Sequence, residues 1–345
     1  MSAPAAGQVD LLVIGDANPD VLVSGAPEAP PAGQTETLVD GGTLALGGSA
    51  AIVAHGAARL GLRTALVAMV GRDAAGDFVL DTLSAAGVDI SRCRRHETLP
   101  TALTVCLNRP DGDRAILTAP GCLAAFGPEH VPDLAGPAAR HVHAASYFLQ
   151  PRLAAGLPGL FADARAAGAS TSLDTNDDPA GGWRLAPGLL AGCDLLLPNE
   201  AEAGALAAAL GAGAPGGSGV PGPYAAIREL GEPLAGALAY LAAAGPVPAV
   251  KLGRRGAVAR AADGTIIRAR GPEVTPVDTV GAGDAFDAGF LAAWLDSGDL
   301  AAALALGCAC GALSTRAAGG TAGQPDRADA GSLAAGARTW TVAPR

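Results

Sequence analysis

Apolar and polar positions come in blocks along this chain. The run Val9–Ile14 is apolar but for Asp10 and is closed by Gly15, the pattern of a buried strand ending in a turn. Polar-punctuated segments at residues 21–24 and 35–39 read as strands of a smaller sheet. Residues 47–60 have helical spacing opened by a Gly-Gly pair, 64–70 form a second buried strand and 78–86 a helix. Segments 101–107 and 114–118 flank Arg109-Pro110-Asp111-Gly112-Asp113, whose Pro and Asp-Gly mark a hairpin turn. This hairpin interrupts an otherwise alternating strand–helix chain, so it is grouped with the two early strands.

Beyond the hairpin, strand candidates at 141–147, 170–174, 194–197 and 247–252 are separated by helical segments, and 281–294 and 300–317 are the last long helices. Such alternation predicts a mainly parallel sheet with helices on both faces and right-handed crossovers. Residues 211–223 (GAGAPGGSGVPGP) hold too few apolar groups to pack and read as a mobile surface insertion within a single domain spanning 1–345. The tail from Ala337 carries no signal of its own.

Composition narrows the function. Half the residues are apolar, enough for a large core, and the formal charge is −10, from 23 basic and 33 acidic residues. A nucleic-acid binder needs a basic face for phosphates, so that class is set aside. No stretch approaches the ~20 apolar residues of a membrane span, and residues 1–9 do not have the form of a signal peptide. The six cysteines are scattered, which suits free thiols in a reducing compartment and hence the cytoplasm. Lys251 is the sole lysine, so any lysine-centred chemistry has one position.

The most informative stretch runs from Asp278 to Phe290, DTVGAGDAFDAGF. A Gly-x-Gly turn leads into a helix, an Asp lies in its first turn, and small residues follow at Ala285, Ala288 and Gly289. A helix start exposes unpaired N–H groups and the positive end of the macrodipole, and glycines let an oxyanion come close. Gly281, Ala282, Gly283 and Asp284 can therefore build an anion hole without a lysine. Beside it, Asp284 can accept the proton of an attacking hydroxyl, which suits phosphoryl transfer. An ordinary acidic helix start is the alternative for a bare GxGD. Elsewhere, Asp20 and Asn18 in Gly15-Asp16-Ala17-Asn18-Pro19-Asp20 can hold sugar hydroxyls or form an Asx turn. Asn199 and Glu202 have N-cap and N3 spacing, so a capping box is one reading of Pro198-Asn199-Glu200-Ala201-Glu202. His141 and His143 share a strand face with no third ligand nearby and are read as strand packing.

The residues Asp278 to Gly289 resemble throughout the D-T-x-G-A-G-D-x-F-x-x-G signature of the ribokinase-like, or PfkB, carbohydrate kinases, and the resemblance extends over nearly the whole chain. It implies an α/β fold: a three-layer αβα domain with a doubly wound, mainly parallel sheet and a small β lid from about 19–40 and 101–118. It further implies ATP-dependent phosphorylation of a sugar-like acceptor, with Asp284 as catalytic base over the anion hole of residues 281–284. Asn18, Asp20, Gly47 and Gly48 would meet the acceptor. Asn199, Lys251, Gly253 and Gly256 would meet ATP, Lys251 reaching a phosphate or ending in solvent. Glu202 would act on magnesium through water, and Asp278 with the Thr279 carbonyl would mark a potassium site. Ser172-Leu173-Asp174-Thr175-Asn176 resembles a D-x-N element of several sugar-kinase branches, with a solvated turn as the alternative. One departure stands out: Ile52 occupies the position where the family usually has Asn, which removes a polar handle on the acceptor. The acceptor therefore stays open among hexose, pentose, sugar acid and nucleoside, and a homodimer is left open. A nucleoside kinase of the same family and a non-catalytic sensor or scaffold are the competing readings.

Overall fold

The computed structural model describes residues 9–111, 113–136, 139–212 and 232–342. In chain order it begins with strands β1 (Val9–Ile14), β2 (Asn18–Ser24) and β3 (Gly41–Gly47), helix α1 (Ser49–Arg59), β4 (Thr64–Val67) and β5 (Met69–Gly71). Then come α2 (Ala74–Ala85), β6 (Arg94–His96), β7 (Leu103–Asn108), β8 (Arg114–Ala119), β9 (Ala139–Ala144), α3 (Pro151–Ala166), β10 (Ser170–Leu173), β11 (Leu195–Leu196) and α4 (Glu200–Ala207). The remainder is α5 (Glu232–Ala243), β12 (Val247–Lys251), β13 (Ala257–Arg260), β14 (Ile266–Arg270), α6 (Ala282–Ser297), α7 (Leu300–Ser314), α8 (Arg327–Ala335) and β15 (Arg338–Val342).

Among the described residues nine strands form the large sheet, in the order β15-β14-β13-β12-β11-β10-β9-β1-β4. Pairing is parallel from β4 to β12 and antiparallel through β13, β14 and β15. Successive side chains of a strand face opposite ways, and β1 shows the result. Leu11 and Val13 join Leu66, Leu195 and Ala249 under Val53 of α1, Phe290 of α6 and Leu304 of α7. Leu12 and Ile14 join Val67, Leu196 and Val250 over Phe161 of α3, Leu206 of α4 and Leu238 of α5. Apolar strands sandwiched between two helical layers account for the uninterrupted hydrophobic runs in the sequence. The ribokinase-like α/β architecture is as expected.

A second sheet, in the order β3-β2-β7-β8, stands apart from the first. It contains the expected hairpin, with Arg109 N–H bonded to the Asp113 carbonyl at 2.9 Å. One of its early strands is misplaced in the sequence reading. Residues 35–39 form no strand, and the pairing partner of β2 is β3, starting at Gly41. The alternation in Thr35-Glu36-Thr37-Leu38-Val39 has no neighbouring strand to bond and leaves Leu38 exposed. The tail from Ala337 is also not blank: Arg338–Val342 completes the large sheet along β14. Of the Gly/Pro-rich insertion, only Gly211 and Ala212 fall inside the described residues.

Helices α6 and α7 pack through small residues. A Cβ on Gly289 would meet Cys310 Sγ at 2.7 Å and the Leu306 carbonyl at 2.8 Å, both on α7. Gly289→Val is therefore expected to lower unfolding stability by about 1–3 kcal/mol, from overpacking. A urea unfolding midpoint unchanged from wild type would show that the helices part more easily than this contact implies.

Candidate active site

The carboxyl ends of β1, β10, β11 and β12 lead into Asp16, Asp174, Asn199 and Lys251 along one edge of the large sheet. Open α/β sheets bind ligands at this edge. The start of α6 arrives at the same edge. Its N-cap, Gly281, has φ 70°, and a Cβ there would lie 2.5 Å from Gly320 Cα, so the turn requires glycine twice over. Ala282 N–H makes a long 3.3 Å bond to the Thr279 carbonyl. The amides of Gly281, Gly283 and Asp284 have no acceptor among the described residues. Such a turn offers N–H groups and the helix dipole to an anion.

Asp284 sits in this first turn and is buried. Burial, then the nearby charge of Asp174, raises its carboxyl to about 7, while Lys251 and a hydrogen bond with Ser49 work against the rise. The carboxylate oxygens of Asp174, Asp284 and Asp287 can all lie within 4.8 Å of one another. The site already contains a cation. Lys251 Nζ donates to Asp174 Oδ2 at 2.6 Å and to both oxygens of Asp287 at 3.2 Å. Burial works against the ammonium, but Asp174, Asp287 and Glu202 hold its pKa above the usual lysine range. Burial alone would raise Asp174, yet Lys251 keeps it below the usual carboxylate value, and Asp287, buried against Asp174, is raised well above. Lys251 is therefore largely buried and engaged by two carboxyl groups rather than ending in solvent.

The acceptor candidates gather at the root of the small sheet. Asn18 and Asp20 lie on β2, not in a loop, and pair with Gly47 and Ala45 of β3. Asn18 Nδ2 donates to Asp20 Oδ1 at 3.0 Å and to Thr104 Oγ1 at 3.3 Å. A side chain on Gly47 would overlap the Asp20 carboxylate, so glycine keeps that group in place. Burial, then the charge of Asp16, pushes Asp20 to about 7. Asp16, absent from the sequence reading, takes the Ser49 and Ala50 amides at 3.2 and 3.0 Å beside Gly48 and so anchors the start of α1. Ile52 is buried against Gly320, the same glycine that Gly281 touches. Ile52, which removes the polar handle usual in the family, instead packs an apolar side chain on the glycine that adjoins the anion turn.

Asp278 accepts from Val280 N–H at 3.0 Å and Gly319 N–H at 2.9 Å, with Arg114 of β8 3.9 Å away. Its charge is thus met by protein groups on several sides. Asn199 and Glu202 form the capping box: Glu202 N–H bonds to Asn199 Oδ1 at 2.9 Å, and Asn199 N–H and Nδ2 bond back to Glu202 at 2.8 and 2.5 Å. Burial, then Asp174, raises Glu202 to about 7. His141 and His143 bond to Ser170 and Ser172. On the other side of the α6 turn lies a cleft of about 960 Å³, lined among others by Lys251, Gly253, Gly256, Thr279, Ala282 and Gly283. Of the candidate nucleotide and anion-hole residues, Lys251, Gly253, Gly256, Ala282 and Gly283 thus line one cavity, while Asn199, Gly281 and Asp284 are not part of its lining.

The chain matches the description pfkB family carbohydrate kinase over residues 9–327. It is 34% identical over 272 residues to an ATP-dependent ribose-1-phosphate kinase of Halopiger xanaduensis, covering 78% of this chain and 79% of that one. In three dimensions it resembles the ribokinase of Arabidopsis thaliana complexed with ribose and ATP, with TM-score 0.79, 25% identity, and 95% and 99% of the two chains covered. A second solved structure, a ribokinase II of E. coli in complex with ATP and Mg2+, shares the fold at TM-score 0.75 and 22% identity, over 94% and 98% of the chains.

Proposed function

This chain belongs to the pfkB family of carbohydrate kinases, and from that premise we propose that it transfers the γ-phosphoryl group of ATP to a hydroxyl of a small sugar or sugar-like acceptor. One observation carries the reading: the buried Asp284 carboxylate stands in the first turn of α6, beside amides that have no other acceptor.

In the proposed reaction the acceptor is held by Asn18, Asp20 and the backbone at Gly47 and Gly48. Its hydroxyl gives its proton to Asp284 as the oxygen attacks the γ-phosphorus in line. The amides of residues 281–284 take up charge that develops on the transferring group, where fixed dipoles in a site shielded from water act strongly. Gly253 and Gly256 let the donor approach the backbone of the β12–β13 turn in the large cleft. Residues 19–40 and 101–118 act as a lid, limiting wasteful hydrolysis by excluding water.

Magnesium fits this site through its own water shell. Both Glu202 oxygens already accept from Asn199 while retaining lone pairs for water, and Lys251 stands between Asp174 and Asp287. When bound with ATP, the ion supplies charge neutralisation on the phosphates. The Asp278 side chain is already met by two amides and Arg114, a setting that does not favour a potassium ion there.

A sugar is favoured over a nucleoside because β2, β3, β7 and β8 carry no aromatic side chain to stack on a base. A sensor or scaffold is disfavoured because base and anion turn are both present. None of the described helices is long and apolar enough to cross a membrane, and the cytoplasm is the proposed location.

The test is ATP-dependent phosphorylation across pentoses, pentose 1-phosphates, hexoses, keto-deoxy sugar acids and nucleosides, read by ADP release and product mass. Turnover on a sugar or sugar phosphate is expected, and failure on every member would remove the enzymatic reading. Since Asp284 must be ionised to act and its carboxyl lies near 7, kcat/KM should fall about tenfold per pH unit below that value. A flat profile from pH 5.5 to 8 would contradict the assignment.

A further inference from the structure

The phosphate-binding role expected for Lys251 does not fit its surroundings. Its stem packs against the anion turn: a Cβ on Gly283 would lie 3.5 Å from Lys251 Nζ and 3.8 Å from its Cδ and Cε. Its head is held by Asp174, at the end of β10, and by Asp287, one turn along α6 from Asp284. Asp287 is fully buried on the α6 face that also carries Asp284, among small and apolar residues. A buried carboxylate in such a place is costly unless it meets a cation, and the chain has one lysine to offer. The two residues form a clamp between sheet and helix.

We propose that Lys251 is a positioning residue, gripped by Asp287 and Asp174, whose fixed positive charge beneath Gly283 keeps the Asp284 carboxylate ionised for proton abstraction. The inference rests on the kinase reading above and adds to it the counter-ion of the base. The groups that face this carboxylate support it. Asp16 follows β1, Ser49 opens α1, Asp174 ends β10, Glu202 lies on α4, Lys251 ends β12 and Asp287 shares α6. Four of these are carboxylates, and Lys251 is the cation among them. His143 of β9 faces Asp174 and Lys251, but burial lowers it to about 4, so it stays neutral and adds no charge at pH 7. Without the ammonium, acidic neighbours in a poorly solvated space would favour protonated Asp284, which cannot act as a base.

The experiment compares Lys251→Met, Lys251→Arg and Asp287→Asn with wild type. Lys251→Met is expected to raise the acid limb of kcat by about one to two pH units and to lower kcat at pH 7 about tenfold or more, with KM for ATP changed less than about twofold. Lys251→Arg should restore the limb, because it keeps the charge. Asp287→Asn removes one of the two carboxyl groups that hold the ammonium in place and should raise the limb, by less than Lys251→Met does. The Asp284 carboxyl is followed in parallel by 13C NMR of the free protein, assigned with Asp284→Asn, and should shift in the same directions. That readout needs no acceptor: shifts without turnover on any acceptor would spare the inference and sink the kinase reading. A higher KM for ATP with an unmoved limb and unmoved Asp284 titration would overturn the inference and make Lys251 a phosphate ligand. Should both lysine variants fail to fold, Asp287→Asn decides alone, and an unmoved or lowered Asp284 titration there overturns the proposal.

Discussion

Replacing Asp284 by Asn is expected to lower kcat by about 10²–10⁴-fold while leaving ATP affinity near that of wild type. The substitution preserves shape and removes the group proposed to take the proton. The side chain is buried at the start of α6, and the α6 amides that would meet the phosphoryl group are backbone groups the change does not touch. Binding and chemistry should therefore separate: calorimetric titration with ATP reads the first and steady-state turnover the second. Stability should not fall, because an ionisable group that burial pushes to about 7 is replaced by a neutral one. A variant retaining more than a third of wild-type kcat would remove Asp284 as the base.

Gly281→Val should be nearly as damaging to catalysis, by a different route. At φ 70° a β-branched residue is strained, and the new side chain would run into Gly320, whose Cα is 2.5 Å from the Cβ position. The turn must move, and with it the amides proposed to hold the phosphoryl group. Misaimed donors of this kind cost about 10²–10³-fold in kcat. Gly298, at the other end of the same helix, provides a matched control. It has the same φ of 70° with nothing within 4 Å of its Cβ position. Gly298→Ala should cost about 1 kcal/mol of stability and leave kcat alone. Equal effects on turnover at both glycines would mean that the anion turn tolerates displacement and is not the catalytic element.

The parts of this site that sequence made legible are those built from consecutive residues. DTVGAGD places turn, amides and base within one helix start, so its local pattern is the geometry. The capping box of Asn199 and Glu202 is local in the same sense and was readable from its spacing. The Lys251 environment was not, because its partners Asp174 and Asp287 lie 77 and 36 residues away along the chain. A signal was available: an Asp at position 287, on a face of small residues, must be paired if buried, and the chain has a single lysine. Asp16 was passed over because its work is to hold the start of α1, contact that only the fold creates. The failure at residues 35–39 has a similar cause. Alternation predicts a strand only where another strand offers hydrogen bonds, and β2 offered them six residues further on, at a Gly-Gly pair that reads as a turn. β13 and β14 were missed because short antiparallel strands carry no helical segment between them to announce a parallel crossover, and β15 because it returns to β14 only after three helices.

The acceptor candidates Asn18, Asp20 and Gly47 belong to the strands of the small sheet, while Asp284 and the phosphate cradle belong to a helix locked against α7 by glycine contacts. Two inheritable units are thereby separated within one chain. On the proposed reading, substitutions in the small sheet would retune which molecule is accepted without removing the groups proposed to move the phosphoryl group. Ile52, packed on Gly320 beside Gly281, and Arg114, 3.9 Å from Asp278, sit at the seam, so a change in one unit can reach the other through those side chains.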